Sequence, residues 1–363
     1  MRTIVQITPC CPPHPGGLEC VVQHLCAQVG QRHRVQVVTT MLGATGAPPL
    51  VRVDRVSVRR HRPVEVARTT AAPGMVRSLL GAPRDAVLHL HCAHALLPGL
   101  VALTARLQGR RFLPHLHLDV DASGRLLPAC KEHSFSRVVR AAAGVVVLTD
   151  ARADFVAVTY RVFAEQVFMV SDRGGDEYPM PVRIRAGRPD PGPDPVRLLF
   201  VGRLSLPTNV GRLLDALTLV RRPVSLRIVG DGELRDRLGA QVARLGLERV
   251  AFCGGLFGAD LVDACRQADA PLLPADKEGM LLEAMAAALP VLATDVPGTR
   301  ELLGGVGLLA APRAMVLAAA IDSLAADPAL RRRLAESCAA ASAGYSWDAV
   351  ARRMEQVHTG VLG

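Results

Sequence analysis

Two stretches of this chain alternate short apolar runs with longer segments whose apolar residues recur at helical spacing. The first stretch opens with an apolar run at residues 3–8, a loop rich in Pro and Gly, and an amphipathic segment at residues 18–29. The second begins at residue 197, after residues 173–195, which contain six prolines and no apolar period. Strands separated by helix-length segments are typical of parallel βαβ units. The pattern therefore predicts two doubly wound α/β domains.

The predicted strands are short runs rich in Val, Leu and Ile. Besides residues 3–8 they lie at residues 34–40, 87–91, 113–118, 144–149, 166–171, 197–202, 225–230, 249–254, 270–274, 290–294 and 306–310. The last segment, YSWDAVARRMEQVHTGVL, has a helical period with Asp348 as its expected N-cap.

This pattern divides the chain into four parts. Residues 1–175 and residues 196–345 are each expected to form a Rossmann-like domain. A Pro-rich linker at residues 176–195 joins them, and residues 346–363 form a C-terminal helix. The two domains are expected to face each other across a cleft that holds a ligand, because open α/β sheets bind ligands at the carboxyl ends of their strands.

Composition narrows the classes of partner. With 363 residues the chain exceeds what one core usually supports, and half of its residues are apolar. Aromatic residues make up only 3%, which argues against a surface that stacks nucleic-acid bases. The net charge of +10 rests almost wholly on Arg, since Lys131 and Lys277 are the only lysines. Guanidinium groups bind phosphate oxygens bidentately, so a nucleotide diphosphate, an acidic lipid surface or both are expected partners.

Cysteine usage and hydropathy bear on the compartment. The nine cysteines form neither CxxC pairs nor a regular framework, so we expect reduced thiols in a cytoplasmic protein and no metal or redox site. The start of the chain lacks a signal-peptide pattern, and the longest apolar run, residues 93–104, is shorter than the roughly 18 residues that span a bilayer. The protein is expected to be soluble, or at most peripheral at the inner membrane face.

The first candidate chemistry lies at strand ends of the second domain. Gly202 and Arg203 directly follow a strand, where a guanidinium can neutralise a diphosphate, although an ordinary surface Arg explains the residue equally well. Glu278 opens a predicted helix, EGMLLEAM, that also contains Glu283. Carboxylates there can bind sugar hydroxyls, and the first amides of the helix can bind phosphate. A Glu that merely complements the helix dipole is the alternative, and it suits Glu278 better than Glu283.

The first domain offers further candidates. Gly16 and Gly17 precede the first helix, where backbone amides can approach an anion or simply form a tight turn. His117 ends a strand and can hydrogen-bond a sugar hydroxyl or serve as a structural histidine. Asp119 and Asp121 have a spacing that could bind a divalent cation, but the anion site of the other domain already has an Arg, so no metal site is expected.

Residues 51–68 form a basic segment with six arginines against Asp54 and Glu65. Such a segment attracts anionic lipid headgroups with roughly 1 kcal/mol per charge near the membrane. A solvated strand-loop face is the plainer interpretation.

Taken together, these pieces resemble glycosyltransferase family 4, a family of retaining enzymes with the GT-B fold. The resemblance covers nearly the whole chain and rests on the order and spacing of PPHPGGLECVVQHL, FVGRL, IVGDGELRDRL, GTREL and YSW. It implies an N-terminal acceptor domain, a C-terminal nucleotide-sugar domain and a last helix that crosses back to the first domain. It also implies metal-independent transfer of a sugar from a UDP- or GDP-sugar, without a cofactor.

The resemblance assigns roles to the candidates in both domains. Arg203, next to Gly202, would bind the diphosphate. Gly16 and Gly17 would lie near the donor phosphates. His117 would contact the sugar from the N-terminal side.

The paired-Glu motif departs from the family pattern in its spacing. Glu278 would contact the transferred sugar and Glu283 the ribose, and the backbone of Gly279, Met280 and Leu281 would meet the donor between them. The family usually separates the two Glu by seven residues, whereas four separate them here. The turn that meets the phosphates is therefore expected to be shortened.

A second departure concerns the diphosphate site. The family usually places a Lys five residues after the Arg of FVGRL, followed by Gly, but this chain has Thr208 and Asn209 there. Arg212 or Lys277 is a candidate for the missing cation.

The sequence therefore predicts transfer of a sugar from a UDP- or GDP-sugar to an acceptor hydroxyl. Small metabolites, lipid-linked sugars and polysaccharide ends all stay open as acceptors. The two departures leave open a non-catalytic homologue that binds a ligand or partner. A nucleotide-sugar epimerase with the same cleft is a third alternative.

Overall fold

The computed structural model describes residues 2–13, 17–44, 46–66, 69–92, 97–117, 129–170, 195–256, 258–274 and 278–362. The chain divides into an N-terminal unit, Met1–Arg173 with Trp347–Gly363, and a C-terminal unit, Gly174–Ser346. Most of the predicted linker lies outside the described residues.

The elements are numbered here in chain order. The N-terminal unit begins with β1 (Thr3–Ile7), α1 (Gly17–Gly30), β2 (Arg34–Thr40), β3 (Leu50–Val53), β4 (Val56–His61), β5 (Val64–Val66), β6 (Thr69–Ala71), α2 (Pro73–Leu80), β7 (Val87–Cys92), α3 (Leu97–Leu107), β8 (Phe112–Leu116), α4 (Ala129–Ala141), β9 (Val145–Val147), α5 (Asp150–Tyr160) and β10 (Val167–Met169). The C-terminal unit comprises β11 (Val196–Val201), α6 (Val210–Leu217), β12 (Val224–Val229), α7 (Arg235–Arg244), β13 (Val250–Gly254), α8 (Gly258–Gln267), β14 (Ala270–Leu273), α9 (Glu278–Ala286), β15 (Leu292–Thr294), α10 (Pro297–Leu303), β16 (Leu308–Ala310), α11 (Ala314–Ala326) and α12 (Pro328–Ser342). The last helix, α13 (Trp347–Leu362), belongs to the N-terminal unit.

The N-terminal unit is built on an eight-stranded sheet with the order β10-β9-β8-β7-β1-β2-β4-β3. Its strands pair in parallel except β3 with β4, which form an antiparallel hairpin at one edge. Apolar residues of α2, α3, α4 and α5 cover one face of the sheet. Helices α1 and α13 cover the other face, where Trp347 is almost fully buried.

The C-terminal unit contains a six-stranded parallel sheet with the order β13-β12-β11-β14-β15-β16. Successive strands first extend to one side of β11 and then, from β14 onwards, to the other side. Helices α6, α7 and α11 pack on one face, and α8, α9, α10 and α12 pack on the other. The carboxyl ends of β11 and β14 therefore meet at a topological switch point, which is where open α/β sheets bind ligands.

An ion pair with a buried carboxylate fixes the two central strands of this sheet at their amino ends. Asp269, which is fully buried, accepts hydrogen bonds from the backbone N–H of Arg197 at 2.8 Å and from its Nε at 3.0 Å. The Arg197 Nη2 donates to the second carboxylate oxygen at 2.9 Å. Because Asp269 immediately precedes β14 and Arg197 lies in β11, this pair holds the two strands in register.

The prediction of two doubly wound α/β domains is confirmed. The last helix begins at Trp347, so the prediction of Asp348 as its N-cap is wrong: the residue lies in the first helical turn and forms ion pairs with Arg32 and Arg352. The hairpin of β3 and β4 was not predicted as strands. Among the residues that the structure describes, no helix combines the length and apolarity needed to cross a membrane.

Candidate functional site

The carboxyl end of β11 approaches the neighbouring strand end very closely. The N–H of Gly202 donates to the carbonyl of Val229 at 3.0 Å. Gly230 has φ +137°, and a Cβ built there would lie 1.9 Å from the Gly202 carbonyl oxygen. At Gly232, with φ +156°, a Cβ would lie 2.4 Å from the Leu204 carbonyl oxygen. Only glycine fits this close approach of two backbones, and the approach fixes where Arg203 leaves the sheet.

Arg203 projects into solvent from this strand end. Its side chain is 75% exposed, and its Nε lies 3.9 Å from a carboxylate oxygen of Glu233. A pair this long and this exposed contributes little to folding stability, so it does not account for the position of the guanidinium. The side chain can turn towards an anion at the edge of the sheet.

The loop after β12 is a part of this edge to which the sequence had assigned no role. Its residue Glu233 brings a carboxylate near Arg203, and the Asp231 Oδ1 accepts a hydrogen bond from the N–H of Gly232 at 2.8 Å. The signal in the sequence is the Gly-Asp-Gly that directly follows a predicted strand. Carboxylates at this place suit hydroxyl groups better than phosphates.

Thr208, at the position of the expected Lys, is a structural residue. Its side chain is fully buried, and its hydroxyl donates to the Ser205 carbonyl at 2.6 Å. Asn209 follows with φ +50°, a left-handed conformation that Asn tolerates better than most residues and that explains the usual Gly. This turn keeps the backbone shape that leads into α6 and supplies no positive charge.

Arg212 and Lys277 are the two candidates for the missing cation. Arg212 donates from Nη1 to the Pro312 carbonyl at 2.8 Å, so its guanidinium is engaged near the start of α11. Lys277 lies outside the described residues. Arg203 is therefore the cation that the described part of this strand end presents.

Helix α9 begins immediately beyond the carboxyl end of β14. Its first turn is formed by Glu278, Gly279 and Met280, whose side chains lie outside the described part of the structure. Leu281 is fully buried in the core, so it can meet a ligand only through its backbone. Since β14 and β11 are neighbours, the N-terminus of α9 lies at the edge on which Arg203 lies, and the first amides of a helix have no partner within the helix.

Glu283 lies one turn further along α9 and is half-buried. Burial and the charge of Glu283 raise the pKa of the Cys265 thiol to about 12, which places this carboxylate on the side of α9 that faces α8. The contact of Glu283 with ribose stays a prediction. The side chains of Glu283 and Leu281 lie on different sides of α9, since that of Leu281 is buried in the core.

The candidates of the N-terminal unit lie at one edge of its own sheet. Gly17 is the first residue of α1, and His117 follows the end of β8. Gly16, Asp119 and Asp121 lie outside the described residues. Since β1 and β8 are parallel members of the same sheet, Gly17 and His117 both lie at its carboxyl edge.

His117 belongs to a buried cluster of histidines that the sequence interpretation did not foresee. Its Nε2 lies 2.8 Å from the Nδ1 of His91, and the Nε2 of His91 lies 2.8 Å from the Oε1 of Gln6. The rest of the cluster is held by His89, whose Nδ1 lies 3.0 Å from the Nε2 of His358 and whose Nε2 lies 3.3 Å from the Nδ1 of His115. Two of the rings lie at alternate positions of β7, His115 lies in β8, His117 directly follows β8, and His358 lies in α13.

Burial keeps part of this cluster uncharged. It lowers the pKa of His89 well below its ordinary value, and it lowers the pKa of His358 to about 3, with a smaller contribution from His33. Neutral imidazoles each carry one N–H donor and one acceptor nitrogen, so hydrogen-bonded pairs of rings can satisfy each other.

We expect the N-terminal unit to lose stability as the pH falls below 6.5. Between pH 6.5 and about 3 the unfolded chain protonates His358 while the folded chain does not, so folding is opposed increasingly towards low pH. The contribution is at most about 1.4 kcal/mol per pH unit. Replacing His358 by Phe should reduce the slope of unfolding free energy against pH between 6 and 4.5, measured by urea denaturation. An unchanged slope would show that His358 titrates normally in the folded protein.

Cys10 and Cys11 are buried thiols. Burial raises the pKa of each to about 11, and Glu19 adds to the effect at Cys10. Both are therefore protonated at neutral pH, in which form a thiol is a poor nucleophile and a poor ligand.

The basic segment is only partly a surface feature. Arg52, Arg55 and Arg59 are exposed on the hairpin of β3 and β4. Arg60 is buried and donates to the carbonyls of Pro48 and Pro12, at 3.1 and 2.6 Å. Arg68 lies outside the described residues. Membrane contact through residues 51–68 stays a prediction that rests on fewer arginines than the sequence contains.

Comparison with known proteins finds a family match within the C-terminal unit. Residues 195–327 match the family model described as glycosyl transferases group 1. Glycogen synthase of Mycobacterium tuberculosis is 34% identical over 184 residues, which cover 48% of this chain and 44% of that protein. Phosphatidyl-myo-inositol mannosyltransferase of Mycobacterium leprae is 36% identical over 44% of this chain and 46% of its own length. The chain thus matches less than half the length of these two relatives.

A longer match and two solved structures extend the likeness. Alpha-D-kanosaminyltransferase of Streptomyces kanamyceticus is 28% identical over 75% of this chain and 76% of its own length. Sucrose-phosphate synthase of Thermosynechococcus elongatus has a TM-score of 0.78 with 18% identity over 99% of both chains. Anabaena HepE in complex with UDP and glucose has a TM-score of 0.76 with 19% identity, over 99% of this chain and all of that one. At such identities the structures show a shared fold, that of GT-B glycosyltransferases.

Proposed function

We propose that this protein is a retaining glycosyltransferase that transfers a hexose-type sugar from a UDP- or GDP-sugar to an acceptor hydroxyl. The observation that carries the proposal is the edge of the C-terminal sheet, where Arg203 and the N-terminus of α9 follow two adjacent strands at the topological switch point. A guanidinium and a helix N-terminus together suit a diphosphate. The match of this same unit to the glycosyl transferases group 1 model supports the assignment.

In the proposed reaction the acceptor hydroxyl attacks the anomeric carbon from the face that the diphosphate leaves. The bond between the anomeric carbon and the phosphate oxygen breaks, a new glycosidic bond forms, and the hydroxyl proton passes to the departing diphosphate. Arg203 and the first amides of α9 stabilise the negative charge that develops on the leaving group. We infer that these groups supply the charge stabilisation without a metal ion.

Roles for the remaining candidates follow from this assignment. Glu278 and Glu283 would bind hydroxyls of the sugar and the ribose, with the backbone of Gly279, Met280 and Leu281 between them. His117 would bind a hydroxyl of the sugar. The relatives named above support a sugar-bearing acceptor or a lipid-linked one, and the exposed arginines of the β3–β4 hairpin favour the lipid slightly.

The test is a transfer assay with a panel of UDP- and GDP-sugars. Each donor is incubated with the protein and a cell extract, and both the released nucleotide and the glycosylated product are identified by mass spectrometry. We expect one donor to be consumed and its sugar to appear on an acceptor with the anomeric configuration retained. Failure of every donor to yield either product or free nucleotide would overturn the proposed function.

A further inference from the structure

The histidine cluster contains a chain of hydrogen bonds that ends at a predicted sugar-binding residue. The chain runs from Gln6 on β1 through His91 on β7 to His117 beyond β8, and each of its two contacts measures 2.8 Å. Gln6 and His91 are fully buried, whereas His117 is half-buried at the carboxyl edge of the sheet. The buried end of the chain is therefore fixed by the core, and the other end faces the side on which ligands bind.

The order of donors and acceptors follows from the amide. Gln6 presents its carbonyl oxygen, Oε1, to His91, so the Nε2 of His91 must carry the hydrogen and donate it. A neutral His91 then has its lone pair on Nδ1, which accepts the hydrogen from the Nε2 of His117. The lone pair of His117 is thereby assigned to Nδ1, and any group that meets this nitrogen has to donate a hydrogen bond.

Neighbouring rings hold this chain in place. The ring of His91 stacks on His89 with centroids 4.7 Å apart, and its centroid lies 5.0 Å from that of His117, the ring to which it is hydrogen-bonded. His115 packs against His117 at 4.1 Å. His358 on α13 contacts the Nδ1 of His89 and so ties the last helix to the same stack. Packing on several sides restricts rotation of the rings, which is required for one tautomer to persist.

A metal ion does not fit this arrangement as well. Nitrogens of His89, His91 and His115 lie within 4.8 Å of one another, a spacing that admits an ion. An imidazole binds a metal along the plane of its ring, at about 2.0–2.1 Å for zinc. In the structure, however, ring nitrogens of all three are engaged in hydrogen bonds, since the Nε2 of His89 lies 3.3 Å from the Nδ1 of His115 and both nitrogens of His91 have partners at 2.8 Å. The observed geometry favours hydrogen bonds between rings.

We propose that Gln6 and His91 are positioning residues that fix the ring and the tautomer of His117, so that it accepts a hydrogen bond from a sugar hydroxyl of the donor. The step from tautomer to sugar rests on the proposed function; the hydrogen-bond chain itself does not. A hydroxyl can donate to Nδ1, whereas an unprotonated phosphate oxygen cannot. His117 thus contributes to recognition of the sugar and not of the diphosphate.

The chain is tested directly by nuclear magnetic resonance on the unliganded protein with ¹⁵N-labelled histidine. Spectra at pH 8 should show His91 and His117 each protonated at Nε2, with a coupling between the Nδ1 of His91 and the Nε2 of His117 transmitted across the hydrogen bond. A His117 protonated at Nδ1, or the absence of this coupling, would overturn the proposal. This measurement requires no activity and no variant.

A matched pair of variants tests the functional consequence. His91→Phe removes the acceptor for His117, and His89→Phe changes an equally buried residue two positions away on the same strand, which stacks on His91 but forms its hydrogen bonds with His115 and His358. We expect kcat/KM for the donor sugar to fall about tenfold more in the first variant than in the second, roughly the value of one hydrogen bond. Equal losses would show that the cluster is only structural.

Two further variants distinguish loss of the hydrogen bond from a folding defect. His91→Asn keeps an acceptor oxygen where Nδ1 lies and should restore part of the activity lost in His91→Phe. Gln6→Leu leaves both rings but removes the acceptor that sets the tautomer, and it should weaken the coupling to His117. If the coupling is present while the wild-type protein transfers no sugar, the proposed function fails and the chain stands. If transfer occurs without the coupling, the positioning role fails alone.

Discussion

Replacing Arg203 by Ala is expected to lower turnover of the nucleotide-sugar by at least about tenfold, and by up to about a hundredfold. The guanidinium is 75% exposed, and the carboxylate of Glu233 is 3.9 Å away, so the change removes little folding stability. The loss should therefore appear in kcat, with an unfolding temperature close to that of the wild-type protein. Steady-state kinetics with the accepted donor and calorimetry on the same samples measure both quantities.

The control for this experiment is Arg266→Ala. Arg266 is also exposed, lies on α8 of the same unit and forms an ion pair with Asp263 at 3.0 Å. This substitution removes the same charge as Arg203→Ala, but at a place away from the end of β11, so turnover should stay within about twofold of wild type. Normal activity of Arg203→Ala would refute the role of this guanidinium. An equal loss in both variants would show that the net charge of the protein, and not the position of Arg203, causes the effect.

Replacing Gly230 by Ala is expected to destabilise the C-terminal unit by roughly 3–5 kcal/mol. The new Cβ would lie 1.9 Å from the Gly202 carbonyl oxygen, and φ at this position is +137°. The carbonyl oxygen and the Cα that would carry the new Cβ belong to the backbone at two neighbouring strand ends, so neither can move aside without breaking the approach of β11 and β12. Urea denaturation followed by tryptic digestion of the unfolded fraction would measure the loss and identify the unit.

Gly239→Ala provides the matched comparison. Gly239 lies inside α7 of the same unit, and a Cβ there would meet nothing within 4 Å. Because Gly is a poor helix former, this variant should gain about 1 kcal/mol of stability. If Gly230→Ala were as stable as the wild-type protein, the close approach at the strand ends would be wrong, and with it the location of Arg203.

The apolar periodicity predicted most of the fold because it follows directly from burial. Runs such as residues 144–149, GVVVLT, are covered on both faces of a parallel sheet, so their apolar character is nearly continuous. The β3–β4 hairpin escaped this argument because it lies at an edge, where Val51, Val53, Val56 and Val58 alternate with polar residues. The alternation was present in the sequence, but the many arginines favoured a solvated loop.

The candidate site was predictable only where a motif directly follows a strand. Gly202 and Arg203 were found in this way. The Gly-Asp-Gly after β12 also directly follows a strand, but its residues were assigned no role in binding. Thr208 shows the opposite case. The sequence showed only that the expected Lys is absent, whereas in the structure the buried hydroxyl of Thr208 stabilises its own turn. Burial of that kind depends on tertiary packing, which a residue count cannot supply.

The histidine cluster shows a further limit of sequence reasoning. The pairs His89 with His91 and His115 with His117 each follow a period of two, which places both members on one face of a strand. That much is readable from HLH in two predicted strands. The contributions of Gln6 and His358 are not, since β1 and α13 come from the two ends of the chain.

Amide hydrogen exchange with and without UDP or GDP tests the central claim most directly, because it shows where a nucleotide diphosphate binds. We expect the nucleotide to slow exchange in peptides that cover residues 201–206 and the first turn of α9, residues 278–281, and to lose this effect in Arg203→Ala. Slowed exchange confined to other parts of the chain, or protection of these peptides that persists without the guanidinium, would contradict the account.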